Sequence, residues 1–157
     1  MNIESIVREY IDKSFHLSLG TCVDNKPWVC EVHFAYDEHL NLYWRSLKSR
    51  RHSQDIAVNP RVAGNIVHQH ALTDVPHAIY FEGSAELVTD DAERQRIYPY
   101  FKQRLNTSEE KLEEARRDDG HQFYKVTVEK WYAFGQFDGD VVQKYELDWQ
   151  GGQAAAK

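Results

Sequence analysis

The sequence predicts a mainly β domain with peripheral helices, an α+β arrangement whose antiparallel strands curl toward a closed or nearly closed barrel. Seven runs of loosely alternating residues, several joined by short turns, carry that expectation. The aromatic share of 13% favours strands and flat-ligand surfaces over a helical bundle. Helical periodicity is confined to the N-terminus, a short piece before Pro60 and two charged stretches after residue 89. At 157 residues the chain has room for one domain with one core. We therefore expect a single domain over residues 1–149 and a disordered tail over 150–157, where small and polar residues dominate.

The elements follow in order. Ile3, Ile6, Val7, Tyr10 and Ile11 fall on one helical face, with Asn2 placed to cap. Residues 15–23 predict a strand, 24–27 (Asp-Asn-Lys-Pro) a turn, 28–36 a second strand and 40–45 a third. Ser53 is placed to cap a short helix that Pro60 stops. Strands are expected at 61–69 and 77–88, with a bulge or bend at Gly83. Asp90 with Glu93 resembles a capping box opening a helix to about Leu105, kinked or broken at Pro99. Thr107 with Glu110 predicts a charged surface helix ending near Gly120. Residues 122–134 and 141–149 predict a closing hairpin turning at Asp138-Gly139-Asp140.

Charge and motif content exclude several function classes. The formal charge is −6, which argues against a nucleic-acid partner. No apolar run is long enough to span a bilayer, and residues 1–8 lack the pattern of a secretion signal, so a cytoplasmic protein without a membrane partner is expected. Cys22 and Cys30 have no CxxC spacing and read as free thiols, with a disulfide across the hairpin as the alternative. His68 and His70 share a strand face, but no carboxylate or cysteine nearby offers a third ligand, so no metal site is expected. No nucleophile elbow and no glycine-rich phosphate loop is present.

The most informative stretch is 42–67. From Tyr43 to Arg61 stand five cations (Arg45, Lys48, Arg50, Arg51, Arg61) against one acid, Asp55. A cation cluster in an acidic chain calls for an anion. Guanidinium forks and hydroxyls at the end of a strand suit a phosphate.

These residues also resemble a family, the pyridoxamine 5′-phosphate oxidase-like, FMN-binding split barrels. In the oxidases the third strand ends in a Tyr-Thr-Asn-like triplet, followed by Ser-Arg-Lys and Asn-Pro-Arg-Val. The matching positions here are Trp44-Arg45-Ser46, Ser49-Arg50-Arg51 and Asn59-Pro60-Arg61-Val62, without gaps. The resemblance implies an antiparallel split barrel of about six to seven strands. It implies that Ser49, Arg50 and Arg51 hold the FMN phosphate and that Trp44, Arg45 and Ser46 lie along the flavin or its ribityl chain. The strand carrying Val29, Cys30 and Glu31 would run beside the flavin ring. It also implies a homodimer with the flavin between subunits, and a small-molecule substrate.

Two departures bear on activity. Where the oxidases open and close the second strand with Arg and Lys, this chain has Val29 and Phe34. Their C-terminal arginine motif has no counterpart before the end of this sequence. The expectation is an FMN-dependent oxidoreductase with a different substrate, its catalytic residues unassigned. The alternatives are a non-enzymatic carrier and a deazaflavin in the same seat. Haem, which some split-barrel relatives bind, is a further one, with His68, His70 or His77 as axial candidates.

Overall fold

The computed structural model describes residues 2–68 and 71–150. Among them the chain runs α1 (Ile3–Asp12), β1 (His16–Val23), β2 (Lys26–His33), β3 (Ala35–Tyr36), β4 (Leu42–Ser46), α2 (Arg51–Val58), β5 (Arg61–Ile66), β6 (Ala78–Leu87), α3 (Asp91–Leu105), α4 (Glu109–Glu114), β7 (Gln122–Gly135) and β8 (Gln143–Asp148). All pairings are antiparallel, in the order β2-β1-β5-β6-β7-β4-β3, with β8 added to β7. This is the α+β split barrel that the sequence predicts. It has eight strands among the described residues because the run 28–36 divides at Phe34. β2 and β3 stand at opposite ends of the sheet path, yet only Phe34 separates them, so the sheet curls back on itself.

Local chemistry explains most element boundaries. Asn2 caps α1 by accepting from Ser5 N–H at 3.1 Å, and Val7, Tyr10 and Ile11 bury its inner face. Asp24 and Asn25 both adopt left-handed backbone, with φ of 51° and 59°. They form a two-residue hairpin turn, so Lys26 and Pro27 belong to β2 rather than to the turn. That register sets Cys22 opposite Pro27 and Cys30 opposite Leu19; both thiols are free, and the hairpin carries no disulfide.

Some expectations are corrected. α2 begins after Arg50, whose extended backbone occupies the cap position, and Ser53 lies buried inside the helix. α3 is capped by Asp90, which accepts from Glu93 N–H at 3.0 Å. It runs unbroken through Pro99, because Ile97, Tyr98 and Phe101 are packed in the core on either side. α4 starts after Ser108 and ends at Glu114, well short of Gly120. The chain turns there because Glu114 takes the His121 N–H at 3.0 Å. At Gly83 the register shifts, but the extra residue is Glu129 in β7. A Cβ on Gly83 would lie 2.2 Å from the Thr127 carbonyl oxygen. The loop between β7 and β8 spans residues 136–142, and Gly139 takes its φ of 76° without contact. Gln69 and His70, in the strand predicted at 61–69 and its metal pair, lie outside the described residues, as does the tail from 151; Gln150 is still part of a β-bridge.

Alternation along the strands separates two apolar clusters. Leu17, Leu19, Leu42, Trp44, Phe81, Val126 and Trp131 fill the barrel. Tyr43 and Phe123, on the opposite face of β4 and β7, join Ile97 and Phe101 to seat α3 outside it. The barrel is narrow where β1, β5 and β6 meet. A Cβ on Gly64 would lie 2.3 Å from the Ser18 carbonyl oxygen and 2.4 Å from the Phe81 ring. Gly64→Ala is expected to cost about 1–3 kcal/mol, the range for overpacking a filled core. Urea denaturation checks this, and a midpoint equal to wild type would contradict the packing described.

Candidate functional site

Where β2 and β4 end beside the start of α2, a cleft of about 740 Å³ opens. Its walls include Glu31, Val32 and His33 from β2, Arg45 and Ser46 from β4, and Arg50 and His52 at the start of α2. Phe101, Arg104 and residues 105–107 close it from the end of α3, and His121 closes it from the approach to β7. The volume is in the range of small-molecule sites.

The five cations of the 43–61 stretch do not act as one cluster. Arg45 pairs with Glu114 at 2.9 Å, Lys48 with Asp118, and Arg61 with Glu129 at 2.7 Å. Arg51 lies over the Trp28 ring at 4.4 Å, with Asp55 at 3.8 Å. Acids distant in sequence thus neutralise most of the local charge. Arg50 alone of the five has no acidic partner among the described residues, and it faces the cleft.

The polar groups around Arg50 differ in what they offer an anion. Arg45 Nε and His52 Nε2 are buried without a hydrogen-bond partner. An unmatched buried polar atom is costly, and both nitrogens lie beneath the cleft surface rather than on it. α2 begins without a side-chain cap, so its first-turn N–H groups also seek an acceptor. Burial, reinforced by the Arg50 charge, lowers the His52 pKa, so this ring stays neutral and adds no charge for an anion.

The remaining predicted residues divide by strand face. Glu31 lies on the cleft and accepts the Ser18 hydroxyl. Val29 is 64% exposed on β2 and Cys30 is half-buried. Burial, with Glu31 adding to it, pushes the Cys30 thiol up to about 11, so it is protonated and unreactive near neutrality. Trp44 is fully buried and stacks on Tyr124 at 5.4 Å, so its ring is part of the core. Beyond Tyr43, β4 pairs with β7 on one edge and has no strand partner on the other among the described residues, leaving backbone at Trp44, Arg45 and Ser46 toward β2. Ser49 is exposed in the turn before α2 and is not part of the cleft wall.

Sequence reasoning missed His52, Arg104, Glu114 and His121. His52 stands one residue past the Ser-Arg-Arg triplet, and its spacing to Ile56 on the buried face of α2 could have marked it. The others are far from the motif and carry no local signal. Arg104 donates to the carbonyls of Phe34 at 3.0 Å and Ile11 at 2.5 Å, and it lies over the rings of Phe15, Phe34 and Tyr36. The haem candidates sit elsewhere. His68 and His77 line a separate cleft of about 800 Å³ with Tyr10 and Phe137, and His70 is outside the described residues. No group of three His, Cys, Asp or Glu able to hold a metal occurs among the described residues.

Comparison with known proteins agrees with this architecture. The family model described as pyridoxamine 5′-phosphate oxidase matches residues 3–135, and the chain belongs to that family. A UPF0306 protein of Yersinia pseudotuberculosis serotype O:1b (strain IP 31758) is 29% identical over 90 residues, 57% of this chain and 61% of the relative. The heme binding protein from Mycobacterium smegmatis superposes with a TM-score of 0.72 at 14% identity, covering 94% of this chain and 58% of that one. An FAD-binding protein from Mesorhizobium loti superposes with a TM-score of 0.63 at 15% identity, covering 85% and 94%. This chain therefore spans less than two thirds of the Yersinia relative and of the heme binding protein. At these identities the structural matches establish the fold.

Glu114 ties the cleft together and supplies a test. The His121 backbone N–H is the largest cause holding its carboxyl down at about 2, with the His121 ring, Lys111 and Arg45 adding to it. Because the folded value lies below the ordinary 4.5, the stabilisation is complete above that value and fades as pH falls toward about 2. Glu114→Gln is expected to lower stability near neutrality by on the order of 1–2 kcal/mol after solvent screening. The gap from wild type should narrow steadily through that acid window; a gap constant with pH would show that the charge is not what matters.

Proposed function

We propose that this protein is an FMN-binding flavoprotein, an oxidoreductase acting on a small molecule other than pyridoxamine phosphate. One observation carries the proposal: the cleft presents Arg50, which has no acidic partner among the described residues, beside Ser46 and the uncapped start of α2. That donor set fits a phosphate-bearing ligand. Arg50, Arg45, Ser46 and the first turn of α2 would hold the phosphate, and β2 at Glu31 and Val32 would flank the ring. A bound flavin would supply hydride or electron transfer, while the protein binds, orients and shields it. The substrate side differs from the oxidases because Val29 points outward and Phe34 is buried, so neither offers a cation.

The same reading calls for a homodimer. Among the described residues β2 pairs only with β1 and carries Trp28 and Val29 exposed, with Phe15 exposed at the cleft rim. A second copy on this edge would cover apolar surface and complete the cleft. Sedimentation equilibrium should then return twice the 18.4 kDa of one chain. No helix among the described residues is long and apolar enough to cross a membrane, in keeping with a cytoplasmic location.

A haem reading rests on a different place, the cleft shared by His68 and His77. A visible spectrum separates the two. Purified protein mixed with FMN and desalted should keep a flavin spectrum, whereas a Soret band would favour haem. Fluorescence titration should show Arg50→Ala binding FMN about 10- to 100-fold more weakly, as expected for losing a charge-assisted contact of roughly 1.5–3 kcal/mol. Arg51→Ala should cost less, because that guanidinium is held on Trp28. Unchanged affinity in Arg50→Ala would remove the proposed phosphate seat.

A further inference from the structure

The wall of the cleft at Glu114 and His121 is built in a way that a phosphate seat does not require. Glu114 is only 16% exposed, and both of its oxygens are engaged. Oε1 accepts the His121 backbone N–H at 3.0 Å and lies 2.7 Å from His121 Nδ1. Oε2 accepts from Arg45 at 2.9 Å and Lys111 at 3.2 Å. The turn that makes this contact is itself fixed. Gln122, buried, donates to the Arg117 and Gly120 carbonyls. A Cβ on Gly120 would lie 2.2 Å from the Glu114 carbonyl oxygen, so a larger residue there would push the two apart.

An ionised carboxylate beside Nδ1 requires a proton on that nitrogen. In the neutral ring the other nitrogen, Nε2, then carries a lone pair. His121 lines the cleft, and no group of the described chain is bonded to its Nε2. The dyad thus combines an oriented base with a carboxylate that stabilises the imidazolium once it forms.

We propose that His121 is the proton-accepting residue of this cleft, and that the cleft takes a flat, weakly acidic molecule with an ionisable O–H. In the step proposed, the ligand's O–H bond breaks and its electron pair stays on oxygen. The proton forms an N–H bond at His121 Nε2, and Glu114 balances the imidazolium. The ligand oxyanion is left on the side of the cleft lined by Arg104 and, where no flavin phosphate occupies it, Arg50; neither has an acidic partner among the described residues. Phe15, Val32 and Leu105 give the flat, apolar part of such a ligand its surface. Glu114 is a positioning residue, acting through His121. The ligand class rests on the cleft being the small-molecule site argued above; the ring tautomer does not depend on FMN.

Long-range ¹H–¹⁵N correlation spectra of the labelled full chain, above the histidine titration range, test the tautomer. His121→Gln assigns the signals. We expect neutral His121 to carry its proton on Nδ1, and Glu114→Ala to release it to the Nε2–H form usual in water. An Nε2–H ring in the wild-type protein overturns the proposal. The ligand class is probed with 3-nitrophenol, whose visible absorbance reports ionisation, at neutral pH, where the free phenol is mostly protonated and an ordinary histidine mostly neutral. Wild type should raise the phenolate band on binding, and His121→Gln should weaken that ionisation by about tenfold, the effect of roughly 1.4 kcal/mol. No binding at millimolar phenol, or an equal band in both proteins, also overturns it. FMN retention after desalting is scored separately, so its failure would remove the flavin reading and leave the tautomer result standing.

Discussion

The crossing at Phe34 is the constraint on which the rest of the molecule depends. β2 and β3 lie at the two ends of the sheet path, and a single buried residue links them. Phe34 donates to the Phe15 carbonyl at 3.0 Å, and its own carbonyl accepts from Arg104. Arg104 reaches on to the carbonyls of Ile11 and Asp12 at the end of α1. One guanidinium thus joins α1, the barrel seam and α3. Its burial is tolerable because its fork is matched by carbonyls and aromatic faces rather than by one acid.

The cleft follows from that seam. Closing the sheet brings the end of β2 against the end of β4, and the free edge of β4 beyond Tyr43 becomes the floor. α3 ends there because Asn106 takes the left-handed conformation that stops a helix. The site is therefore built from five chain segments, of which only one, residues 45–52, holds the recognisable motif.

Charge in the cleft is decided by pairing rather than by composition. Five cations against one acid make the 43–61 stretch look strongly basic. Folding brings Glu114, Asp118 and Glu129 to three of those cations, and Arg50 is left as the available one. The same folding buries the ring of Trp44 in the core, so an aromatic that reads as a ligand wall serves packing, and β4 offers backbone instead.

By itself the sequence determined the fold class, the antiparallel barrel-forming strands and the order of elements. Period-two alternation, turn-forming residues and caps such as Asn2 and Asp90 act over a few residues and can be read locally, although the exact turn at Asp24-Asn25 needed the strand register. It also marked Arg45, Ser46 and Arg50, because their spacing to Asn59-Pro60 lies within one strand–helix unit. Tertiary structure alone decided which of the five cations lacks an acid, which nitrogens lack partners, and that Arg104 and His121 line the same cleft with Glu114 bonded behind His121. Those facts arise from contacts between residues about 70 positions apart, such as Arg45 with Glu114. Electrostatic neutralisation and desolvation depend on distance in space, and neither leaves a periodic trace along the chain.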